Sequence, residues 1–500
     1  MRATMRDRWR TNSKGVQRIR AAAGIIAIGW ALWPLVVVLF VAFRRLNFPF
    51  DLEWCEGGSL YQAYRLLHGL PLYERSDPSW APFPYPPAHT MLLALLGTIH
   101  LDFWMGRLAS IVLFSLMCWV LFRQVYEHST AKFYAALTGA FGISVVACAY
   151  PYTGQWYDLV RVDSMMMFLC VWGTSRVIKP RMTKLNILTT AAIFAAAVFT
   201  KQTAVFFVAW AGIFATIYRP RFGLALSGVT LTMCLLLLAV AQWITHGGFW
   251  FWVVTNLARQ QINHARLVAG IDIVLHFSPF VVALPLVALL LLVARALSAR
   301  SALWIGSLLF AIPASLLPFA KSGGYLNNLM PILVLLGPVT MLLATDISNI
   351  RWAIPGNVVR VVTIIAMITF VALHKLHYQR YLPDTKNRQA AANLNKLVQS
   401  LPGGVVSPYF AFLPARNGHA NHHWHRMVVL DAYYRGESMS ESDALENSGA
   451  RWVLLHSAEK GLLAWYLEHH FSPPRELPSE FQAHTVTGER ASLNELWEKK

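Results

Sequence analysis

About eleven apolar runs, most of them close to the ~20 residues needed to cross a hydrocarbon layer, recur through the first three quarters of the chain. They cover 24–43, 103–122, 131–150, 164–178, 188–200, 202–218, 223–245, 273–293, 302–319, 326–344 and 358–374. A chain of 500 residues that is 56% hydrophobic and 14% charged, against about 25% charged residues in a soluble domain, has too little polar surface to enclose them in water. The sequence therefore predicts an all-α polytopic membrane protein with a small soluble α/β domain at its C-terminal end. Residues 1–23 read as a basic cytoplasmic segment, 24–376 as the membrane domain with a long outward loop at 44–102, and 377–500 as the soluble, extracytoplasmic domain.

Charge sets the orientation. The net charge is +18, and Arg2, Arg6, Arg8, Arg10, Lys14, Arg18 and Arg20 precede the first run against one acid, Asp7, which places the N-terminus in the cytoplasm. The first run is long for a signal sequence and lacks a small-x-small cleavage site, so it reads as a retained helix. With that start, the turns 123–132, 179–184, 219–221, 295–300 and 346–360 fall on the cytoplasmic side, and each carries Lys or Arg near a helix end. The basic excess is thereby accounted for by topology, and a nucleic-acid partner is not expected. The run 88–100 is too short to span and would invert every later loop if it did. It reads as a helix lying on the outer surface.

The groups able to do chemistry gather in outward loops. Asp51, Glu53 and Glu56 follow the first span, and they suit a general base, metal ligands or solvated loop charges. The second outward loop, YPYTGQWYDLVRVDS, supplies Trp156, Asp158, Arg161 and Asp163, with Arg161 and Asp163 also placed for a local ion pair. Lys201 and Gln202 lie between two short spans, where a charge needs a partner or a ligand. Lys321 opens the loop KSGGYLNN, and Arg259 and Arg266 lie on the same side. These cations suit a lipid phosphate or snorkelling to headgroups. His419, His422, His423 and His425 invite a metal reading, but Asn417, Gly418 and Asn421 argue for a loop with surface histidines. The five cysteines, Cys55, Cys118, Cys148, Cys170 and Cys234, have no disulfide or zinc spacing. Trp30, Trp250, Trp252 and Trp304 read as interfacial belt residues.

The order of motifs resembles the GT-C superfamily of membrane glycosyltransferases, specifically bacterial family 39-like proteins related to protein mannosyltransferases and aminoarabinose transferases. The residues that carry the resemblance are DLEWCEG after the first span, Tyr61, Ala63 and Gly69, PLY (71–73), YPP (85–87), GRLAS (106–110), RVDS (161–164), FTKQT (199–203) and KSGGYLNNLMP (321–331). The family's adjacent Asp-Glu pair is missing, and Cys55-Glu56 stands in its place.

The resemblance implies inverting transfer of a sugar from a polyprenyl-phosphate donor to a hydroxyl of a glycan, lipid or protein acceptor, at the outer face of a bacterial cytoplasmic (inner) membrane and in contact with its lipids. Glu56, with Asp51 as the alternative, would be the base. Asp158, Asp163 and Glu53 would orient the acceptor or a divalent ion, magnesium or manganese, although no cofactor is required by the pattern. Lys201, Arg161 and Lys321 would hold the lipid phosphate, and Tyr61, Tyr85, His89, Trp156, Gln202, Tyr325 and Asn327 would line the cavity. A transporter or flippase, or a polymerase or ligase of lipid-linked sugars, is the competing reading.

Overall fold

The structure, a computed structural model, describes residues 2–74, 80–179, 183–321, 323–350, 355–419 and 440–500. A bundle of apolar helices carries at one end a small domain built on a four-stranded sheet. Among the described residues, six helices are long and apolar enough to cross a membrane: Gly24–Arg45, Phe103–Tyr126, Pro220–Ile244, Ala299–Ala320, Leu326–Ser348 and Gly356–Leu373. A seventh span is available if the pair His264–Phe277 and Pro279–Val293 counts as one. That pair bends by 104°, because Pro279 cannot donate to the helical ladder and clashes with the preceding turn. The predicted run 273–293 is thus broken.

The predicted runs 131–150, 164–178, 188–200 and 202–218 form helices of 17, 15, 15 and 15 residues, each short of the ~20 that a perpendicular span requires. The run 88–100 forms the helix Ala88–His100. Its exposed Met91, Leu95 and Ile99 recur every four residues on one face, as a helix lying on a lipid surface requires.

Packing ranks the helices from centre to rim. The span Leu326–Ser348 is almost entirely enclosed, whereas Pro220–Ile244 and Gly356–Leu373 leave most of their side chains on the outer surface. The central helix approaches Lys132–Cys148 so closely that a Cβ on Gly337 would overlap the Gly142 carbonyl. Small residues permit this kind of backbone contact in membranes. Trp252 and Trp304 are buried and donate to the Glu74 carbonyl and to Gln124 Oε1, so neither is the belt residue that its place near a span end implied.

In the C-terminal domain the sheet order is β1 (Val405–Val406), β2 (Trp452–Leu455), β4 (Glu495–Glu498), β3 (Arg475–Glu476). β1 and β2 pair in parallel and the remaining pairs are antiparallel. β2, flanked on both sides, is buried along its whole length. The polar stretch 437–448 contains the predicted capped helix as Glu441–Asn447, with the Ser440 hydroxyl accepting from Asp443 N.

The domain sits on the loop that leaves the first span. Phe50 packs on Phe410 at 4.5 Å and Phe103 on Phe412 at 5.5 Å. Arg416 donates to the Pro49 carbonyl at 2.9 Å and to Asp102 Oδ2 at 2.8 Å.

Candidate active site

The acidic loop is shaped first by Arg107. This residue lies in the helix Phe103–Tyr126, inside a stretch where an unpaired charge would be very costly. Its guanidinium donates to the carbonyls of Arg45, Leu46, Phe48 and Phe50, at 3.2, 3.3, 2.6 and 2.7 Å. It also grips Glu56 through two parallel bonds of 2.9 and 2.7 Å, the forked geometry that guanidinium and carboxylate share. Glu56 in turn accepts from Leu52 N at 2.9 Å and Val160 N at 3.0 Å. Fully buried and bonded on both oxygens, Glu56 lies away from the cavity described below. The placement expected for it as a base is not the one it has; it organises the loop.

Asp51 is also fully buried. One oxygen accepts from Gly57 N at 2.5 Å and the other has no hydrogen-bond partner. Burial, reinforced by the neighbouring Glu56 charge, pushes its pKa well above the usual carboxylate range. It does not reach the cavity wall either.

Glu53 does. A cavity of about 1240 Å³ opens beside it, with Tyr85, Trp156, Arg161, Lys201 and Asn327 also in its wall. Glu53 Oε2 is buried without a hydrogen-bond partner. Burial raises its pKa to about 7, with Arg161 pulling in the opposite direction. This is the range in which a carboxylate exchanges protons readily at neutral pH.

The cationic side of the cavity depends on a break in the fold. Between the helices Lys184–Val198 and Ala204–Tyr218 the chain turns, and Lys201 points inward, almost wholly buried. Its Nζ donates to Asp163 Oδ1 at 2.7 Å and Asn328 Oδ1 at 2.9 Å. Asn327 Nδ2 donates to the same Asp163 oxygen at 3.1 Å, leaving Oδ2 unbonded. Asp163 therefore pairs with Lys201. The neighbouring Arg161 donates to the Cys55 carbonyl at 3.1 Å and lies over the rings of Trp156, Phe83 and Tyr85, at 4.9, 5.1 and 5.7 Å. Gln202 donates to the carbonyls of Pro84 and Val253. Lys321 donates to the Leu257 carbonyl at 2.6 Å, and Tyr325 lies 5.8 Å from Trp156; all three line the cavity.

Besides Glu56, Asp51 and Asp163, the expected site residues Asp158, Tyr61 and His89 also lie outside the cavity wall. Asp158 accepts from Tyr150 Oη at 2.9 Å, and Tyr150 itself accepts from Arg45 at 2.5 Å. Arg45 Nε lies 3.2 Å from Asp158 Oδ2, close enough for ion pairing though misdirected for a hydrogen bond. This closed trio ties the end of the first span to the loop 150–163 and does not line the cavity. Tyr61 packs edge-on against Trp80 at 5.5 Å. His89 is buried beside the cavity without lining it, and burial together with Arg161 lowers its pKa to about 4.

Among the described residues no group of three or more His, Cys, Asp or Glu could hold a metal ion. Glu53 in the cavity wall and Asp163 outside it each keep one oxygen without a hydrogen-bond partner, and each has a cation nearby. Of the histidine cluster, His419 has its two ring nitrogens 2.9 and 2.8 Å from the Gly403 and Val398 carbonyls, while His422, His423 and His425 lie outside the described residues.

Sequence reasoning passed over Arg107, Asn328 and the C-terminal wall residues Tyr409, Gly488 and Glu489. Arg107 had a signal, a lone charge in an apolar run. The C-terminal residues had none, because only the folded domain brings them to the cavity.

No protein-family model matches the sequence, and no curated protein matches it. Solved structures do. The ArnT crystal structure from Cupriavidus metallidurans in the apo state superposes with a TM-score of 0.56 at 13% identity, over 94% of this chain and 98% of that one. The same protein bound to undecaprenyl phosphate gives 0.54 at 13% identity, over 93% and 98%. The archaeal oligosaccharyltransferase AglB from Archaeoglobus fulgidus gives 0.44 at 12% identity, over 84% and 69%. Near-complete coverage in both directions against ArnT shows that this chain has the fold of that protein.

Proposed function

We propose that the protein moves a hexosyl or pentosyl group from a polyprenyl-phosphate carrier to an acceptor hydroxyl on the outer face of a bacterial cytoplasmic membrane. The carrying observation is the composition of one cavity, which holds a carboxyl with an unbonded oxygen, Glu53, together with two buried cations, Lys201 and Arg161. Leu235, Leu238 and Leu317 in the same wall suit a prenyl chain. The similarly folded ArnT has been crystallised with undecaprenyl phosphate, which supports the donor class.

In this reading the acceptor oxygen attacks the anomeric carbon as its proton passes to Glu53. The bond from that carbon to the phosphate oxygen breaks, the configuration inverts, and polyprenyl phosphate leaves. Lys201 and Arg161 neutralise the charge that grows on the leaving phosphate. Asp163, Asn327 and Asn328 hold the lysine in place, and Lys321 lies at the cavity edge. Glu53 takes the role that the sequence assigned to Glu56 or Asp51, since it is the acid of the three that reaches the cavity.

The test is to incubate proteoliposomes containing the full chain with a panel of labelled polyprenyl-phosphate sugars and membrane extracts as acceptors. Label is expected in a glycan, lipid or protein product with the wild type and in none with Glu53→Gln. Wild-type protein that yields no labelled product with any donor overturns the reading.

A further inference from the structure

The C-terminal domain meets the membrane domain at several points, and one of them lies beside Glu53. The carbonyl of Leu52 accepts from two consecutive backbone donors, Val486 N and Thr487 N, both at 2.9 Å, while Leu52 N donates to Glu56. Residue 52 is held from both sides. The Thr487 hydroxyl lies 2.6 Å from both the Gly154 carbonyl and Gln155 Oε1. One hydroxyl proton serves one of these, and the other contact is satisfied if the Gln155 amide turns its NH2 toward Oγ1.

Gly154 and Gln155 form the left-handed turn, at φ 68° and 59°, that presents Trp156 beneath Arg161. At φ 77°, Gly488 passes so close to Glu53 that a Cβ there would lie 3.2 Å from its Cγ. Glu489 then continues along the cavity wall.

We infer that segment 486–489 is a positioning element of the active site, which fixes the Glu53 loop and the Trp156–Arg161 pair relative to each other. The inference rests on the reading of Glu53 given above. It differs from simple docking, because Phe410, Phe412 and Arg416 attach the domain to Phe50, Phe103, Pro49 and Asp102 without Thr487.

The experiment uses the full-length protein carrying Thr487→Val or Thr487→Ser. Gln155→Ala cuts the same link from the other side and replaces Thr487→Val if that variant does not fold. Amide hydrogen exchange is followed over segments 50–57, 152–158 and 409–416. Transfer kinetics are measured with the labelled polyprenyl-phosphate sugar that the wild type accepts.

In Thr487→Val, loss of the hydroxyl is expected to speed exchange about tenfold in segments 50–57 and 152–158, the size of one buried hydrogen bond. Segment 409–416 stays at its wild-type rate. kcat is expected to fall about tenfold with KM for the donor unchanged, and Thr487→Ser restores both readings. Wild-type exchange in segments 50–57 and 152–158 of the valine variant, or a kcat loss that serine does not rescue, overturns the inference. A fully active Glu53→Gln overturns the Glu53 reading instead, and leaves the exchange result standing on its own.

Discussion

Three acids within six residues of chain sit in three different environments, and the difference lies in what each oxygen touches. Glu56 is bonded twice to Arg107 and to two backbone amides. Removing one partner of such a buried pair leaves an uncompensated charge, at a cost of roughly 3–5 kcal/mol. Arg107→Met is therefore expected to lower the thermal midpoint of the detergent-solubilised protein by several degrees, or to abolish folding. Unchanged melting would refute the anchoring role.

Glu53, which lines the cavity and has one oxygen without a hydrogen-bond partner, is expected to behave differently. Glu53→Gln should fold normally, bind undecaprenyl phosphate as the wild type does, and lose transfer by about 10²–10⁴-fold, the usual contribution of a general base. The pH dependence follows from the same placement. Its pKa is raised to about 7, so the ionised form needed to take a proton is present above that value and lost as the pH falls through it. A rate that declines tenfold per pH unit on the acid side of about 7 is the expected profile. A rate that is flat from pH 5 to 8 would exclude Glu53. Of these roles, the sequence showed that acids cluster here. It did not show which of them faces the cavity, because that depends on Arg107, some fifty residues away.

Among the elements, the informative ones are those that fail to be regular. The Lys184–Val198 and Ala204–Tyr218 pair was legible as two short spans meeting at a lysine, and the break delivers Lys201 to Asp163 and Asn328. Lys201→Met should weaken binding of undecaprenyl phosphate at least tenfold, about the worth of one charge-assisted contact, as read by thermal-shift titration. Equal affinity would remove Lys201 from the phosphate site.

The bend at Pro279 was less legible, since the apolar run reads straight through a proline. Helix lengths were also less legible than helix positions. Hydropathy marks where a chain is buried without distinguishing burial in lipid from burial among neighbouring helices, and the short helices Lys132–Cys148 and Val162–Arg176 are mostly enclosed by protein. The Gly142–Gly337 contact exists only once two helices distant in sequence have met. Gly337→Val should prevent that approach and cost at least the ~1–3 kcal/mol of an overpacked core, measured as a fall in thermal midpoint.

For the molecule as a whole, the orientation expected from the charge bias, with the basic N-terminal segment in the cytoplasm and the sheet domain outside, is open to a direct test. Single cysteines introduced at exposed positions of the sheet domain, in a background lacking the native five, should react with a membrane-impermeant maleimide in intact cells. Labelling only after lysis would reverse the orientation and, with it, the side on which sugar transfer is proposed. Fold class was readable because it follows from apolar area. The join between the two domains was not, because Thr487 and Leu52 are ordinary residues until the fold brings them together.

That join also has a consequence for how the protein is made. Leu52 is synthesised long before residues 486 and 487, whose amides its carbonyl waits for. A ribosome that stalls before residue 486 would leave a bundle already inserted in the lipid but without the segment that packs on Glu53. The wall of the cavity is thus completed only after the helices that form the rest of it have been made.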